Sequence, residues 1–300
     1  IDEIPKALTM QRVAIHGRKI KSESLPCVQA ILNDLAGRNV QLFVSESFKV
    51  CNDSQFDLTR YTTYPNQLKA GAVDCLLSIG GDGTLLDAVL HVGRTQTPIL
   101  GVNTGRLGFL ATTSEGKIRE ALDCLFSGQF TLDQRALISL NAPVSHFKDQ
   151  DFAMNEFAIL RKETSSMIVI KCFVDGEYLN TYWADGLMVS TPTGSTGYSL
   201  SCGGPIMMPD ARCFIITPVS PHNLNIRPIV IPDHHTLSFE VDSRETSLLI
   251  SLDSRSVTVS HDLTFSVTKA DFTVPLIKLP ENTFLKTLRT KLGWGYDRRN

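Results

Sequence analysis

Val73-Asp-Cys-Leu-Leu-Ser-Ile-Gly-Gly-Asp-Gly-Thr84, continued by Leu85-Leu-Asp-Ala-Val-Leu-His-Val92, is the stretch on which the fold turns. A nearly continuous apolar run ends in Gly80-Gly81, and Thr84 to Val92 then carries apolar residues at helical spacing. A strand apolar on both faces must be covered on both faces, which is the condition of a parallel sheet flanked by helices. In such sheets ligands bind at the carboxyl ends of the strands, and glycines there let the backbone approach phosphates whose charge the next helix N-terminus favours.

Outward from this joint the same grammar repeats. Val13-Ala-Ile-His16 and Val40 to Val44 predict strands, Leu25 to Ala36 a helix, and Pro98-Ile-Leu-Gly-Val102 another short buried strand. Ser114 is an expected N-cap for a helix through Phe126, with Gly128 as its C-cap. After that the character changes. Residues 136–144, 151–161, 167–174, 177–190, 213–219, 228–232, 236–241, 247–252 and 256–268 read as strands. Their joints carry turn residues, with Asp175-Gly176 as a hairpin signal and Pro232-Asp233 and Asp253-Ser254 as further turns. A last helix over Glu281 to Leu292 follows Pro280 and presents Phe284, Leu285, Leu288 and Leu292 at helical spacing. The expected organisation is an α/β domain with a parallel sheet over residues 10–128, an all-β domain over 129–278, and a C-terminal helix over 281–295 that packs back onto the first domain.

The 300 residues are 42% hydrophobic and 20% charged, enough for two cores. A net charge of −2 gives no basic field for nucleic acid or anionic lipid, so small-molecule chemistry is the default. The seven cysteines are scattered and never spaced C-x-x-C, which reads as reduced thiols in the cytoplasm. No apolar run reaches the roughly 20 residues of a membrane span, and no signal pattern is visible at the N-terminus. Ile1 to Thr9 carry no structural pattern, and the pattern starts at Met10.

Four constellations carry chemistry. In the first, Gly80, Gly81, Gly83 and Thr84 form an anion cradle. Asp82 is the exception, because a carboxylate beside phosphates is repulsive unless it holds a metal or accepts a proton; the plainer reading is a tight turn with a capping Asp. The turn fits neither the Walker pattern nor the G-x-G-x-x-G fingerprint. The second, Gly101-Val-Asn-Thr-Gly-Arg-Leu-Gly-Phe-Leu110, follows the next buried strand on the same sheet edge. Taken alone it is a structural loop; beside the first it brings Asn103, Thr104, Gly105, Arg106 and Phe109 near Asp82. The third is Asn155-Glu156 among apolar neighbours. A Glu in that setting is usually an exposed strand position, but an Asn-Glu pair also binds a diol, since an ionised Glu accepts from two hydroxyls. The fourth runs from Trp183 to Pro205: a strand, then a block of hydroxyls and glycines held by Tyr198 and two prolines. It reads as an ordered loop offering neutral hydrogen-bonding groups to a nicotinamide amide, an adenine edge and ribose.

Together GGDGT, NTGRLGFL, NE and DGLMVSTPTGSTGYSLSCGGP, with the later Thr217-Pro-Val-Ser-Pro-His-Asn-Leu, Arg227-Pro-Ile-Val-Ile-Pro232 and Lys291-Leu-Gly-Trp294, resemble the NAD kinases, bacterial type, in order and spacing. The resemblance covers most of residues 12–295. It implies a β-sandwich-like C-terminal domain, NAD bound in the cleft between the domains, and phosphoryl transfer from ATP with Mg²⁺ to the adenosine ribose 2′-hydroxyl, giving NADP. It implies Asp82 as the general base, Asn155 and Glu156 on the adenosine moiety and its ribose, Asp185 and Ser201 near the nicotinamide end, and Thr196 and Tyr198 lining the dinucleotide. Gly197 stands where most members carry Ala, and Asp253 matches an acidic position usually followed by Gly but here by Ser254. A homodimer or homotetramer is expected. The seven histidines lack metal-ligand spacing and read as bystanders, with His222 in a structural role. Two rivals remain: a lipid kinase, which shares the glycine turn but needs an apolar acceptor tunnel or a membrane-binding surface, and a dinucleotide-sensing module without turnover.

Overall fold

The computed structural model describes residues 10–105, 108–141, 147–148, 150–162, 167–243, 247–260 and 264–294. Two compact units emerge, Ile1–Gln134 with Val274–Asn300, and Arg135–Thr273.

The first unit alternates strands and helices: β1 (Arg12–Gly17), α1 (Leu25–Gly37), β2 (Gln41–Ser45), α2 (Glu46–Asn52), β3 (Thr62–Tyr64), β4 (Cys75–Gly80), α3 (Asp82–Val92), β5 (Ile99–Asn103), a short β6 (Thr113–Ser114) and α4 (Ile118–Phe126). The strands are parallel in the order β3-β2-β1-β4-β5. Strand pleating sorts the apolar run of β1 onto two faces. Val13 and Ile15 join a core with Val28, Ile31 and Leu35 of α1 and Leu122 and Leu125 of α4. Their neighbour His16 instead packs against His91 of α3, ring centroids 4.2 Å apart and the planes tilted by 41°. Both faces are therefore filled, as the unbroken apolar character of β4 requires.

The second unit follows as β7 (Thr131–Asn141), β8 (Phe152–Ala153), β9 (Glu156–Arg161), β10 (Ile168–Val174), β11 (Glu177–Ala184), β12 (Gly186–Ser190), α5 (Tyr198–Ser201), β13 (Cys213–Val219), β14 (Ile229–Pro232), β15 (Leu237–Asp242), β16 (Ser247–Leu252), β17 (Arg255–Ser260) and β18 (Phe265–Lys278). One antiparallel sheet runs β14-β13-β12-β9-β16-β17, and β11-β10-β15-β18 form another. Phe157, Leu187, Phe214 and Ile250 of the former share one core with Ile170, Tyr182, Phe239 and Phe265 of the latter. Residues from 274 onward belong to the first unit, where Leu276 pairs parallel with Ile99, and α6 (Phe284–Leu292) is the last described element.

Several expectations shift by a turn. α4 begins at Ile118 rather than after Ser114, because a 3-10 turn over Glu115–Lys117 intervenes and the Ser114 side chain makes no capping bond. α6 starts at Phe284, where the Thr283 hydroxyl accepts from the Lys286 amide. Gly128 closes α4 at φ +71°, and Asp175-Gly176 turns with positive φ at both residues. α2 has no counterpart in the sequence reading. Its seven residues are too few to show a period, although Ser45 caps it by accepting from the Phe48 amide. The glycine-hydroxyl block holds a 3-10 turn (Gly194–Thr196) and α5.

Candidate active site

In the first unit the rim at the carboxyl ends of β1, β4 and β5 is one hydrogen-bonded structure. Gly80 ends β4 at φ +155°, and a Cβ there would lie 2.3 Å from Thr84 Oγ1, so the tight turn into α3 requires glycine. Gly81 caps α3, and a Cβ on Gly81, Gly83 or Gly105 would meet nothing within 4 Å, which leaves open backbone. The Thr104 amide donates to the Gly80 carbonyl at 3.3 Å. Asn103 is buried; its Oδ1 accepts from the Gly105 amide at 2.8 Å and its Nδ2 donates to the Ala111 carbonyl.

Asp82, the first residue of α3, holds the second glycine-rich segment. Its carboxylate accepts from the amides of Phe109 at 2.8 Å, Leu110 at 3.0 Å and Ala111 at 3.0 Å. A Cβ on Gly108 would lie 1.8 Å from Asp82 Oδ1, so only glycine admits the carboxylate there. The two motifs therefore meet through Asp82 itself, a link that sequence order does not reveal. The Phe109 ring lies 6.4 Å from that of Phe284 in α6. Arg106 lies outside the described residues.

The second unit gathers Asn155, Glu156, Gly197 and Asp253. The Asp253 carboxylate accepts from the amides of Met154 at 3.0 Å, Asn155 at 2.7 Å and Glu156 at 3.2 Å, while its own amide donates to the Glu156 carbonyl at 3.0 Å. Asp253 itself takes φ +53°, so the glycine that Ser254 replaces is not needed for this turn. Asn155 Oδ1 and Glu156 Oε2 are buried and have no hydrogen-bond partner among the described residues. A Cβ on Gly197 would stand 3.4 Å from both Asn155 Nδ2 and Glu156 Oε2, which puts the missing methyl beside these polar atoms. Native proteins rarely leave buried acceptors unpaired, and such groups mark where a ligand or water completes the structure.

Burial, reinforced by the Asp253 charge, pushes Glu156 up to about 8. At neutral pH its carboxyl is mainly protonated, so it donates one hydrogen bond and accepts others, in place of the ionised carboxylate that the sequence suggests. Asp253 is also raised by burial, against the pull of its three amides and of Arg255.

The remaining expected residues divide sharply. The Asp185 carboxylate pairs with Arg161 Nε at 3.1 Å. Within the glycine-hydroxyl block, Thr191 Oγ1 donates to the Met154 carbonyl, Ser195 Oγ to the Pro192 carbonyl, and Ser199 bonds Thr217, so these buried hydroxyls are used internally. Thr196 donates to the Thr193 carbonyl, whereas Tyr198 and Ser201 of α5 are exposed. The sequence reading missed the backbone clamp made by Asp253. Its signal was present in Leu-Asp-Ser, an acid at a hairpin tip, but nothing local names its partners.

The chain matches the family model for the ATP-NAD kinase N-terminal domain over residues 13–130 and that for the ATP-NAD kinase C-terminal domain over residues 154–279. It is 49% identical to the NAD kinase of Cytophaga hutchinsonii over 291 residues, 96% of this chain and 99% of that one. It is 43% identical to the NAD kinase of Flavobacterium psychrophilum over 293 residues, 96% and 100% of the two chains. Among solved structures, yeast NADH kinase complexed with NADH superposes with a TM-score of 0.82 at 24% identity, covering 96% of this chain and 89% of that one, a likeness of fold. An NAD kinase from Archaeoglobus fulgidus in complex with ATP superposes with a TM-score of 0.71 at 25% identity, covering 94% and 97%.

Proposed function

The chain belongs to the NAD kinase family of phosphotransferases, and from that premise we propose how its residues divide the transfer of a phosphoryl group from ATP to NAD. The adenosine ribose 2′-oxygen attacks the γ-phosphorus, the bond to the β,γ-bridging oxygen breaks, ADP leaves and the hydroxyl proton is lost. Such transfers need little covalent chemistry from a protein, so placement and charge neutralisation dominate.

The observation that carries the acceptor assignment is the pair of buried, unpartnered oxygens on Asn155 and Glu156. A ribose diol supplies the donors and acceptors they lack, and Gly197 leaves room for it. The donor phosphates lie on the open backbone of Gly81 and Gly83 at the N-terminus of α3. Asp82 takes the proton. Three of the roughly four acceptor positions of its carboxylate are filled by the 109–111 amides, which fix it and leave one position for the proton. Thr196 and Tyr198 line the dinucleotide, and Asp185 and Ser201 serve its nicotinamide end.

The triphosphate would be used as its Mg²⁺ complex. Among the described residues no group of three or more His, Cys, Asp or Glu side chains is placed to hold a metal, and an ion bound mainly by donor phosphates and water needs no such cage. When bound, it neutralises charge on the transferring group.

We place the enzyme in the cytoplasm, where its seven cysteines, all free, stay reduced. Among the described residues no helix is long and apolar enough to cross a membrane. We also propose a homo-oligomer formed through the β-rich unit, whose edge strands β11 and β14 expose Tyr178, Trp183 and Val230. The test of the central reading is incubation with NAD, ATP and Mg²⁺. NADP formation supports it; saturable NAD binding with no NADP overturns it.

A further inference from the structure

The loop joining β1 to α1 carries Arg18, Lys19 and Lys21 within four residues, and all three are exposed. The surrounding structure holds this loop in place. The buried Asn52 side chain accepts from the Ile20 amide at 2.8 Å and donates to the Arg18 carbonyl at 3.1 Å, while the Ile20 side chain is buried in the core. At the far end, Ser24 Oγ donates to the Thr104 carbonyl at 3.0 Å. Thr104 in turn donates to the Gly80 carbonyl, so the loop and both glycine-rich turns form one connected rim. The β1–β4 register sets Gly17 opposite Ile79, so the loop leaves β1 one residue short of the level of Gly80.

Arg18 Nε binds Asp87 of α3 at 2.6 Å. Its two terminal nitrogens make no hydrogen bond to any described residue, and its side chain is 60% exposed. Asp87 thus orients the guanidinium without consuming the fork that matches phosphate oxygens. The Gly80–Thr84 turn supplies open amides but no cation, and it carries the Asp82 carboxylate. A triphosphate next to that carboxylate needs positive charge from elsewhere.

We propose that the β1–α1 loop binds the phosphoanhydride chain of the phosphoryl donor, with Arg18 as the principal contact and Lys19 and Lys21 as supporting charges. This inference rests on the reading of the chain as a kinase that uses NAD as acceptor. NAD carries a diphosphate of its own, so the experiment must separate the two substrates.

The full chain and its Arg18→Gln variant are compared by steady-state kinetics with ATP and NAD varied in turn, and by direct titration with MgATP. The expected result is a roughly tenfold rise in KM for ATP, with KM for NAD within about twofold. Arg18→Lys, which keeps the charge but not the fork, falls between. Added salt weakens ATP binding more in the native chain than in Arg18→Gln. The double variant Lys19→Gln, Lys21→Gln removes exposed charges without touching the Asp87 pair; it raises KM for ATP by a smaller factor and decides the matter if Arg18→Gln does not fold. An unchanged KM for ATP in the folded variants, or a rise confined to NAD, overturns the proposal. Absence of NADP formation by the native chain overturns instead the kinase reading on which it rests.

Discussion

The carboxylate of Asp253 accepts the backbone amide of Asn155 at 2.7 Å. With the amides of Met154 and Glu156 on the same carboxylate, this bond shapes the start of β9 and so sets the direction in which Asn155 and Glu156 project. It also places a charge beside Glu156, and that charge adds to burial in raising the Glu156 carboxyl to about 8.

Asp253→Asn tests both consequences. The amide side chain keeps one acceptor oxygen and loses the charge, so KM for NAD rises about tenfold, the scale of one charge-assisted hydrogen bond. Loss of the neighbouring negative charge also lowers the pKa of Glu156, so the pH at which NAD binding changes moves down. A merely structural role for Asp253 leaves that pH unmoved. NAD titrations across pH 6–9 read out both.

Glu156 is expected to act as a neutral acid. NAD affinity then stays level below about pH 8 and weakens as pH rises through that value and the buried carboxyl ionises. Glu156→Gln, also neutral, retains NAD binding within a few-fold and loses the pH dependence, whereas Glu156→Ala weakens binding about tenfold. Binding that strengthens above pH 8 shows that the ionised form is the binding one.

Asp82→Asn is expected to cut kcat roughly 10²-fold or more while leaving NAD affinity near normal, the scale of lost general-base catalysis. The same change replaces one acceptor oxygen facing the 109–111 amides with an NH₂, so stability falls by about 1–3 kcal/mol. Near-normal turnover in the folded variant removes Asp82 from the proton transfer.

His16 and His91 predict acid sensitivity in the first unit. Burial pushes them down to about 3 and about 4, so the folded chain keeps both neutral where an unfolded chain, with histidines near 6.5, takes up protons. Stability is therefore intact above pH 6.5 and falls as pH drops below it, by something on the order of 2 kcal/mol per histidine at pH 5. Arg18 adds to the depression of His16, and Asp87 opposes that of His91. Denaturant titrations at pH 7.5 and pH 5 should show a smaller acid loss for His91→Gln than for the native chain; equal losses refute the assignment.

Oligomerisation through the exposed edges of β11 and β14 is checked by light scattering. A monomer at micromolar concentration rules out the proposed assembly.

The sequence by itself determined the architecture. The unbroken apolar run of Cys75–Ile79 demands two covered faces, and the period-2 segments after residue 130 read as an all-β domain, because pleat and burial act over a few residues. It also picked out Asp82, Asn155 and Glu156, whose polarity is costly among glycines and apolar neighbours. It did not reveal α2, whose single cap and two turns leave no period to read, nor the start of α4, which a 3-10 turn displaced. Only the tertiary structure decided what the site residues touch. Asp82 holds amides 27–29 residues away, and Asp253 reaches back 97–99 residues to the strand that carries Glu156. Glu156 becomes a neutral acid only because folding buries it beside that charge. Propensity and periodicity are local and can be read along the chain, whereas hydrogen-bond partners and desolvation depend on which segments packing brings together.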